Sequence, residues 1–238
     1  MATKDWQDVG FVIPALNEER AIGGVVGGLR SRGIKQVVVC DNGSTDRTAQ
    51  VARDAGATVV QETERGYGAA CLRAIEALDP ATEVIGFVDG DGSDDLNDLP
   101  KLLNPILDES ADFVIASRAR GLAEAGALTP PQRLGNLIAS SWLRYRFGQE
   151  TSDLGPFRAI RKTAYQKLKM RDRNYGWTVE MQIKAARHHL RYQEFPTNYA
   201  RRIGTSKVSG TIRGTFGAGF KIISLLWLYD LGPYRNSK

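Results

Sequence analysis

The sequence predicts an α/β protein built on a mostly parallel sheet that carries helices on both faces. Short apolar runs rich in β-branched residues alternate with helix-forming segments through the first half of the chain. Strands joined by single helices require right-handed crossovers, which place helices over the sheet. The length of 238 residues and the hydrophobic content of 42% are sufficient for one core of this kind.

The predicted strands are short and apolar, as buried parallel strands are. They cover residues 9–13, 36–40, 57–61, 84–88 and 113–116, with a further strand over 192–199. Asn17 and the run Ser44-Thr45-Asp46 are predicted to cap the first two helices, because their side chains can accept from free backbone N–H groups. The second of these helices runs to residue 55, and the others cover 68–78, 99–107, 134–147, 165–170 and 179–189. Residues 121–131 are predicted to form a loop.

Basic residues are concentrated at the carboxyl-terminal end. The formal net charge is +5, and residues 201–238 contain seven Lys or Arg against one Asp. This excess favours an anionic partner, either a phosphate or a lipid headgroup, although a solvated basic face is the alternative. No aromatic-interleaved groove or recognition helix supports a nucleic-acid partner.

The remaining composition favours a cytoplasmic protein. Cys40 and Cys71 lie in apolar or helical segments, so they are expected to be reduced and buried. Residues 1–8 lack the basic-then-apolar pattern of a secretory signal. Residues 216–229 have apolar side chains at helical spacing but are too short to cross a bilayer. They suit the membrane interface, and packing on the core or on a second subunit is equally open.

A pair of carboxylates follows the fourth predicted strand, in the run Phe87-Val88-Asp89-Gly90-Asp91-Gly92-Ser93. Ligands sit beyond the carboxyl ends of strands in sheets of this type. Hard carboxylate oxygens at the spacing of Asp89 and Asp91 suit Mg²⁺ or Mn²⁺, which also take substrate phosphates. The alternative is an acidic turn that caps the next helix.

Several motifs occur in order along residues 9–215: P-A-L-N-E-E, D-N-G-S-T-D, R-G-Y-G-A-A, D-G-D and R-R-I-G-T-S-K. Together they resemble the family-2 inverting glycosyltransferases with the glycosyltransferase-A fold, and most of all the dolichyl- and polyprenyl-phosphate sugar synthases. The resemblance implies a catalytic domain over residues 1–215 and an amphipathic helix and tail over 216–238. No G-x-G-x-x-G or G-x-x-x-x-G-K-[ST] motif follows the first strand, which argues against a dinucleotide enzyme or a P-loop NTPase.

On the donor side, the resemblance implies a nucleotide pocket with a metal ion beside it. The implied nucleotide-binding residues are Pro14, Ala15, Asn17, Glu18, Asp41 and Asp89, with Asp91 as metal ligand. Tyr67 occupies the place of a lysine that the family often has, and Arg65 is expected to compensate. A third metal ligand is left open between Ser93 and Asp94.

On the acceptor side, the resemblance implies that Arg118 grips a phosphate, whereas a surface ion pair with Glu124 is the alternative. Asp153 is the candidate general base for a hydroxyl acceptor. For a phosphate acceptor it would orient the acceptor or stabilise the oxocarbenium-like centre, and a loop cap is the alternative. The implied phosphate-binding residues near the carboxyl terminus are Arg202, Ser206 and Lys207, which the resemblance places over either the donor diphosphate or the lipid phosphate. By analogy Glu180 points towards the site, and Trp177 either stacks on a sugar or packs in the core.

The sequence therefore predicts metal-dependent, inverting transfer of a hexose from a UDP- or GDP-sugar to a polyprenyl phosphate, with Mg²⁺ or Mn²⁺ as cofactor. Peripheral membrane contact and a homo-oligomer are left open. Two other functions are weighed. A sugar-nucleotide pyrophosphorylase would carry a glycine-rich basic run after the first strand, which is absent from residues 14–19. A non-catalytic module that binds sugar nucleotides or lipids is the second.

Overall fold

A computed structural model describes residues 6–124, 126–127 and 130–204. These residues form one seven-stranded sheet in the order β3-β2-β1-β4-β6-β5-β7. The strands are β1 Val9–Ala15, β2 Gln36–Asp41, β3 Thr58–Gln61, β4 Val84–Phe87, β5 Phe113–Ser117, β6 Arg158–Arg161 and β7 Tyr192–Pro196. The helices are α1 Ile22–Ser31, α2 Thr48–Asp54, α3 Tyr67–Glu76, α4 Leu99–Leu107, α5 Pro130–Phe147, α6 Lys162–Leu168 and α7 Trp177–Arg187.

Helices cover both faces of the sheet, as predicted. One apolar cluster joins the sheet to α1, α2 and α4, and the other joins it to α3, α6 and α7. Helix α4 illustrates why the helices pack on the sheet. Its apolar residues recur at helical spacing and are fully buried, namely Leu99, Leu102, Leu103 and Ile106. Each such side chain contributes about 1.5–3 kcal/mol relative to an exposed one.

The mostly parallel character of the sheet is also confirmed, with one exception that the sequence did not indicate. Strand β6 runs antiparallel between β4 and β5. Its sequence, Arg-Ala-Ile-Arg, starts with a charged residue and does not look like a central strand. Arg158 is nevertheless fully buried, because its guanidinium donates to the backbone carbonyls of Leu154, Gly155 and Thr178.

The first strand and helix differ from the prediction. Strand β1 continues through Pro14, which is tolerated because pairing with β4 stops at Val12. The capping role predicted for Asn17 is wrong, since α1 begins only at Ile22 and Asn17 has a left-handed backbone with φ 54°. The Asn17 side chain instead accepts from the Thr45 N–H at 2.8 Å, which ties the loop after β1 to the loop after β2.

The carboxyl ends of β1, β2, β4, β5 and β7 all lie along one edge of the sheet. This edge gathers residues that are far apart in the chain. No helix in the described ranges combines the length and the apolar character needed to cross a bilayer. Cys40 and Cys71 are free and buried, as predicted. The predicted helix over residues 216–229 lies outside the described residues, as do Ser206 and Lys207.

Candidate active site

The turn after β4 presents the two predicted carboxylates at the edge of the sheet. Asp91 is buried, and its Oδ1 accepts from the Ser93 N–H at 3.0 Å and from the Ser93 hydroxyl at 2.5 Å. Gly92 has φ +75°, a conformation that glycine adopts at little cost, so the chain can turn back here. The Asp91 carboxylate is thus held in one orientation by its own turn.

Asp89 is half-buried beside Asp91. Burial, followed by the negative charge of Asp91, raises the pKa of Asp89 to about 7. The Tyr67 hydroxyl donates to Asp89 Oδ1 at 3.1 Å and acts against this rise. Tyr67, at the position where the resemblance implied a lysine, therefore supports a carboxylate of the site.

Of the three acids Asp89, Asp91 and Asp94, Asp94 has the fewest hydrogen bonds to its carboxylate. Both of its carboxylate oxygens are buried, and neither has a hydrogen-bond partner of normal geometry within the part of the chain that the structure describes. Burial and the charges of Asp89 and Asp91 raise the pKa of Asp94 well above its usual value. The choice between Ser93 and Asp94 as a further metal ligand stays a prediction, and the two differ in that Ser93 already hydrogen-bonds to Asp91.

Arg202 supplies positive charge from the carboxyl-terminal side. Its Nη2 donates to Glu18 Oε1 at 2.6 Å and lies 3.5 Å from Asp91 Oδ2. The segment that carries Arg202 is fixed over the turn, because the Ile203 N–H donates to the Asp91 carbonyl and the Ala200 N–H to that of Ser93. Glu18 and Asp91, from the ends of β1 and β4, are therefore bridged by one guanidinium.

The predicted nucleotide-binding residues line the adjoining ends of β1 and β2. Ala15 pairs with Asp41 in the sheet register, directly after Pro14. Asp41 is buried and accepts from the Ser44 N–H at 2.9 Å. Arg65 is exposed, and its guanidinium lies beside Gly43 at the same turn. These residues share one side of the edge with Asn17 and Glu18, and their contacts with a nucleotide stay a prediction.

The acceptor-side residues Arg118 and Asp153 form a buried ion pair. Arg118 donates to Asp153 through its backbone N–H, Nε and Nη2, each at 2.8 Å, and Asn136 donates to Oδ1 at 2.6 Å. The side chains are only 9% and 0% exposed. Burial by itself would raise the pKa of Asp153, but the Arg118 charge and hydrogen bonds outweigh it and lower the pKa.

This pair changes the interpretation of both residues. Arg118 is not the surface partner of Glu124, which instead accepts from the Arg201 N–H. Asp153 stays ionised with both oxygens engaged, which makes it a weak proton acceptor. Its role as general base stays a prediction, and its visible role is to hold Arg118.

Two further residues do not reach the site. Trp177 is buried and packs against Phe87 with 6.3 Å between ring centroids, so the packing interpretation holds. Glu180 is also buried, accepts from the Asp172 N–H at 2.7 Å and pairs with Lys184. The analogy that pointed Glu180 towards the site is therefore wrong.

A metal ion at Asp89 and Asp91 would need further ligands from a bound substrate to complete its coordination shell. Among residues 6–124, 126–127 and 130–204, no three His, Cys, Asp or Glu side chains are grouped closely enough to hold a metal by themselves. Mg²⁺ is usually bound by one or two carboxylates together with substrate phosphates and water. Asp89 and Asp91 fit that pattern, and the unpartnered oxygens of Asp94 lie close enough to interact electrostatically with both.

Comparison with known proteins agrees with the motifs. Residues 11–169 match the model of glycosyl transferase family 2. An uncharacterized glycosyltransferase of Mycobacterium bovis is 38% identical over 209 residues, which are 87% of this chain and 92% of that protein. A dolichyl-phosphate hexose transferase of Haloferax volcanii is 30% identical over 212 residues, or 87% and 90% of the two chains.

A solved structure has the same fold. Glucosyl-3-phosphoglycerate synthase of Mycobacterium tuberculosis, in complex with Mn²⁺, UDP and phosphoglyceric acid, superposes with a TM-score of 0.76 at 22% identity. The superposition covers 98% of this chain and 81% of that one. The described sheet, the motif order and the family match agree with one another, and the chain therefore belongs to glycosyl transferase family 2, as a glycosyltransferase with the glycosyltransferase-A fold.

Proposed function

We propose that this glycosyltransferase moves a hexose, with inversion at C1, from a UDP- or GDP-sugar to a polyprenyl phosphate. The observation that carries the proposal is the excess of carboxylates at the end of β4. Asp89, Asp91 and Asp94 interact with one another there, next to Glu18. Arg202 lies among them, whereas the charge of Arg118 is balanced by Asp153. Such a cluster suits a cation brought together with a diphosphate.

Asp89 and Asp91 are the proposed ligands of Mg²⁺ or Mn²⁺. The bound cation would neutralise the charge that develops on the leaving nucleoside diphosphate. Support comes from the hard carboxylate donors and the unpartnered oxygens of Asp94. The solved structure of similar fold that contains Mn²⁺ and UDP is consistent with this assignment.

Pro14, Ala15, Asn17, Glu18 and Asp41 are the proposed nucleotide side of the pocket. The Asn17 and Asp41 loops are tied to each other, since the Asn17 N–H donates to the Ser44 hydroxyl at 2.9 Å. A pocket that is pre-ordered in this way loses little conformational entropy when the nucleotide binds. Arg65, exposed beside the same turn, is proposed to contact the base or a phosphate of the donor.

Arg118 and Arg202 are proposed to bind the acceptor phosphate, with Ser206 and Lys207 from the segment that follows. A phosphate oxygen of the acceptor attacks C1, and its electron pair forms the new C–O bond. The bond from C1 to the donor diphosphate breaks, and its pair leaves on the nucleoside diphosphate. A phosphate monoester is already ionised near neutral pH, so no proton has to be removed. The engaged and ionised Asp153 is consistent with such an acceptor, and less so with a hydroxyl.

A donor screen tests the proposal. The purified chain is incubated with Mn²⁺ and UDP- or GDP-hexoses, with and without a short-chain polyprenyl phosphate, and nucleoside diphosphate release is measured. We expect release that depends on the phosphorylated acceptor and is absent with the free polyprenol. Asp91→Asn should abolish it, whereas Asp95→Asn is the matched control, because Asn can still accept from the Asn97 N–H at the start of the following helical turn. Release with phosphoglycerate alone would contradict the lipid acceptor.

A further inference from the structure

Helix α5 carries apolar side chains on the outside of the molecule. Leu134, Leu137, Ile138 and Tyr145 are 57%, 63%, 41% and 90% exposed. These four residues are the majority of the seven large hydrophobic residues that are exposed in the described part of the chain. Their spacing places them on one stripe of the helix, because residues three, four, seven and eleven apart share a face.

The opposite side of α5 is buried, so the helix has two apolar faces. Ala139 and Leu143 pack into a cluster with Val179 and Ile183 of α7. A helix that needed only its core contact would present polar residues outwards. The outer stripe of α5 therefore serves some other contact.

The charges along α5 indicate the chemistry of that contact. The helix contains Arg133, Arg144 and Arg146 and no Asp or Glu in its 18 residues. Arg133 and Arg144 are exposed on the same margin of the stripe, 11 residues and about 16 Å apart along the helix axis. Long arginine side chains can lie along an apolar contact and still keep the guanidinium in a polar layer.

We propose that the outer face of α5, made of Leu134, Leu137, Ile138, Tyr145 and the flanking arginines, docks on the surface of an anionic lipid bilayer. An apolar stripe bordered by cations is the pattern of helices that lie in the membrane interface, where anionic lipids attract Lys and Arg. A second copy of the chain would oppose arginines to arginines.

The inner face of the same helix touches the acceptor side of the site. Asn136 on α5 donates to Asp153, which in turn holds Arg118. A membrane bound to the outer face would therefore lie one helix away from the arginine that is proposed to bind the lipid phosphate. This consequence rests on the proposed function, whereas docking itself can be measured without catalysis.

Vesicle binding of the full chain tests the docking. Flotation is measured with vesicles of phosphatidylcholine alone and with vesicles containing about one third phosphatidylglycerol. We expect binding to the anionic vesicles that weakens at high salt and is at least tenfold tighter than binding to phosphatidylcholine. The double variant Leu134→Gln/Leu137→Gln should lower that binding at least tenfold, because two partly inserted leucines are removed. Glutamine keeps helix propensity, and circular dichroism checks the fold.

Tyr175→Gln is the matched control, since Tyr175 is also exposed but lies outside α5. Its vesicle binding should equal that of the unmodified chain. Unchanged vesicle binding of the double variant would overturn the docking surface, as would equal binding to neutral and anionic vesicles. If the double variant loses vesicle binding but no form of the chain transfers sugar to any polyprenyl phosphate, the docking stands and the proposed function fails.

Discussion

Replacing Asp153 by Asn removes the negative partner of Arg118 while keeping the shape of the side chain. In the structure both members of the pair are almost completely buried, and Arg118 makes three hydrogen bonds to the Asp153 carboxylate. The substitution leaves a buried guanidinium facing a neutral amide. Because an unpaired buried charge cannot be solvated, we expect the variant to lose about 3–5 kcal/mol of unfolding free energy.

This loss is large compared with the total stability of about 5–15 kcal/mol that is usual for a domain. Urea unfolding followed by tryptophan fluorescence measures it, and a melting curve should shift down by roughly 6–20 °C. Asp54→Asn is the control, because Asp54 is exposed and hydrogen-bonded to the Gln50 side chain. That control should stay within about 0.5 kcal/mol of the unmodified chain.

The pH dependence gives a second measure of the same pair. The pKa of Asp153 is lowered in the folded chain, so its stabilisation is present above the unfolded pKa of about 3.9 and is lost as the pH falls through the lower folded value. The difference between the unmodified chain and Asp153→Asn should therefore be constant near neutral pH and shrink only in acid. A variant within about 1 kcal/mol of the unmodified chain at pH 7 would refute the reasoning.

Three other predictions concern the acids after β4. The pKa of Asp89 is about 7, so the affinity for Mn²⁺ in the presence of UDP should fall by up to tenfold for each pH unit below 7. Titration calorimetry from pH 5.5 to 8.5 would measure this fall. An affinity that does not change with pH would contradict the assignment of Asp89 as a metal ligand. Tyr67→Phe removes the hydrogen bond to Asp89 and should move the midpoint of that profile to higher pH, whereas Tyr175→Phe should leave it unchanged. Arg202→Met removes the cation 3.5 Å from Asp91 and should tighten the binding of Mn²⁺ alone several-fold, while weakening binding of the acceptor phosphate. Weaker Mn²⁺ binding, seen by electron paramagnetic resonance, would exclude this competition.

The sequence by itself determined the framework of this protein. Apolar runs of four or five residues predict strands β1 to β5, because strands inside a parallel sheet are covered on both faces. The position of Asp89 and Asp91 at a strand end follows from the same local pattern. The order of the glycosyltransferase motifs then identified the family, which the comparisons confirm.

Only the tertiary structure decided which side chains meet. Arg118 and Asp153 are 35 residues apart and pair because β6 inserts antiparallel beside β5, which no local periodicity indicates. Tyr67 reaches Asp89 from 22 residues away, across the sheet edge. The left-handed backbone of Asn17 likewise depends on partners in the neighbouring loop. Hydrophobic periodicity reports burial along one element, whereas ion pairs and hydrogen bonds between distant residues depend on how the elements pack in space.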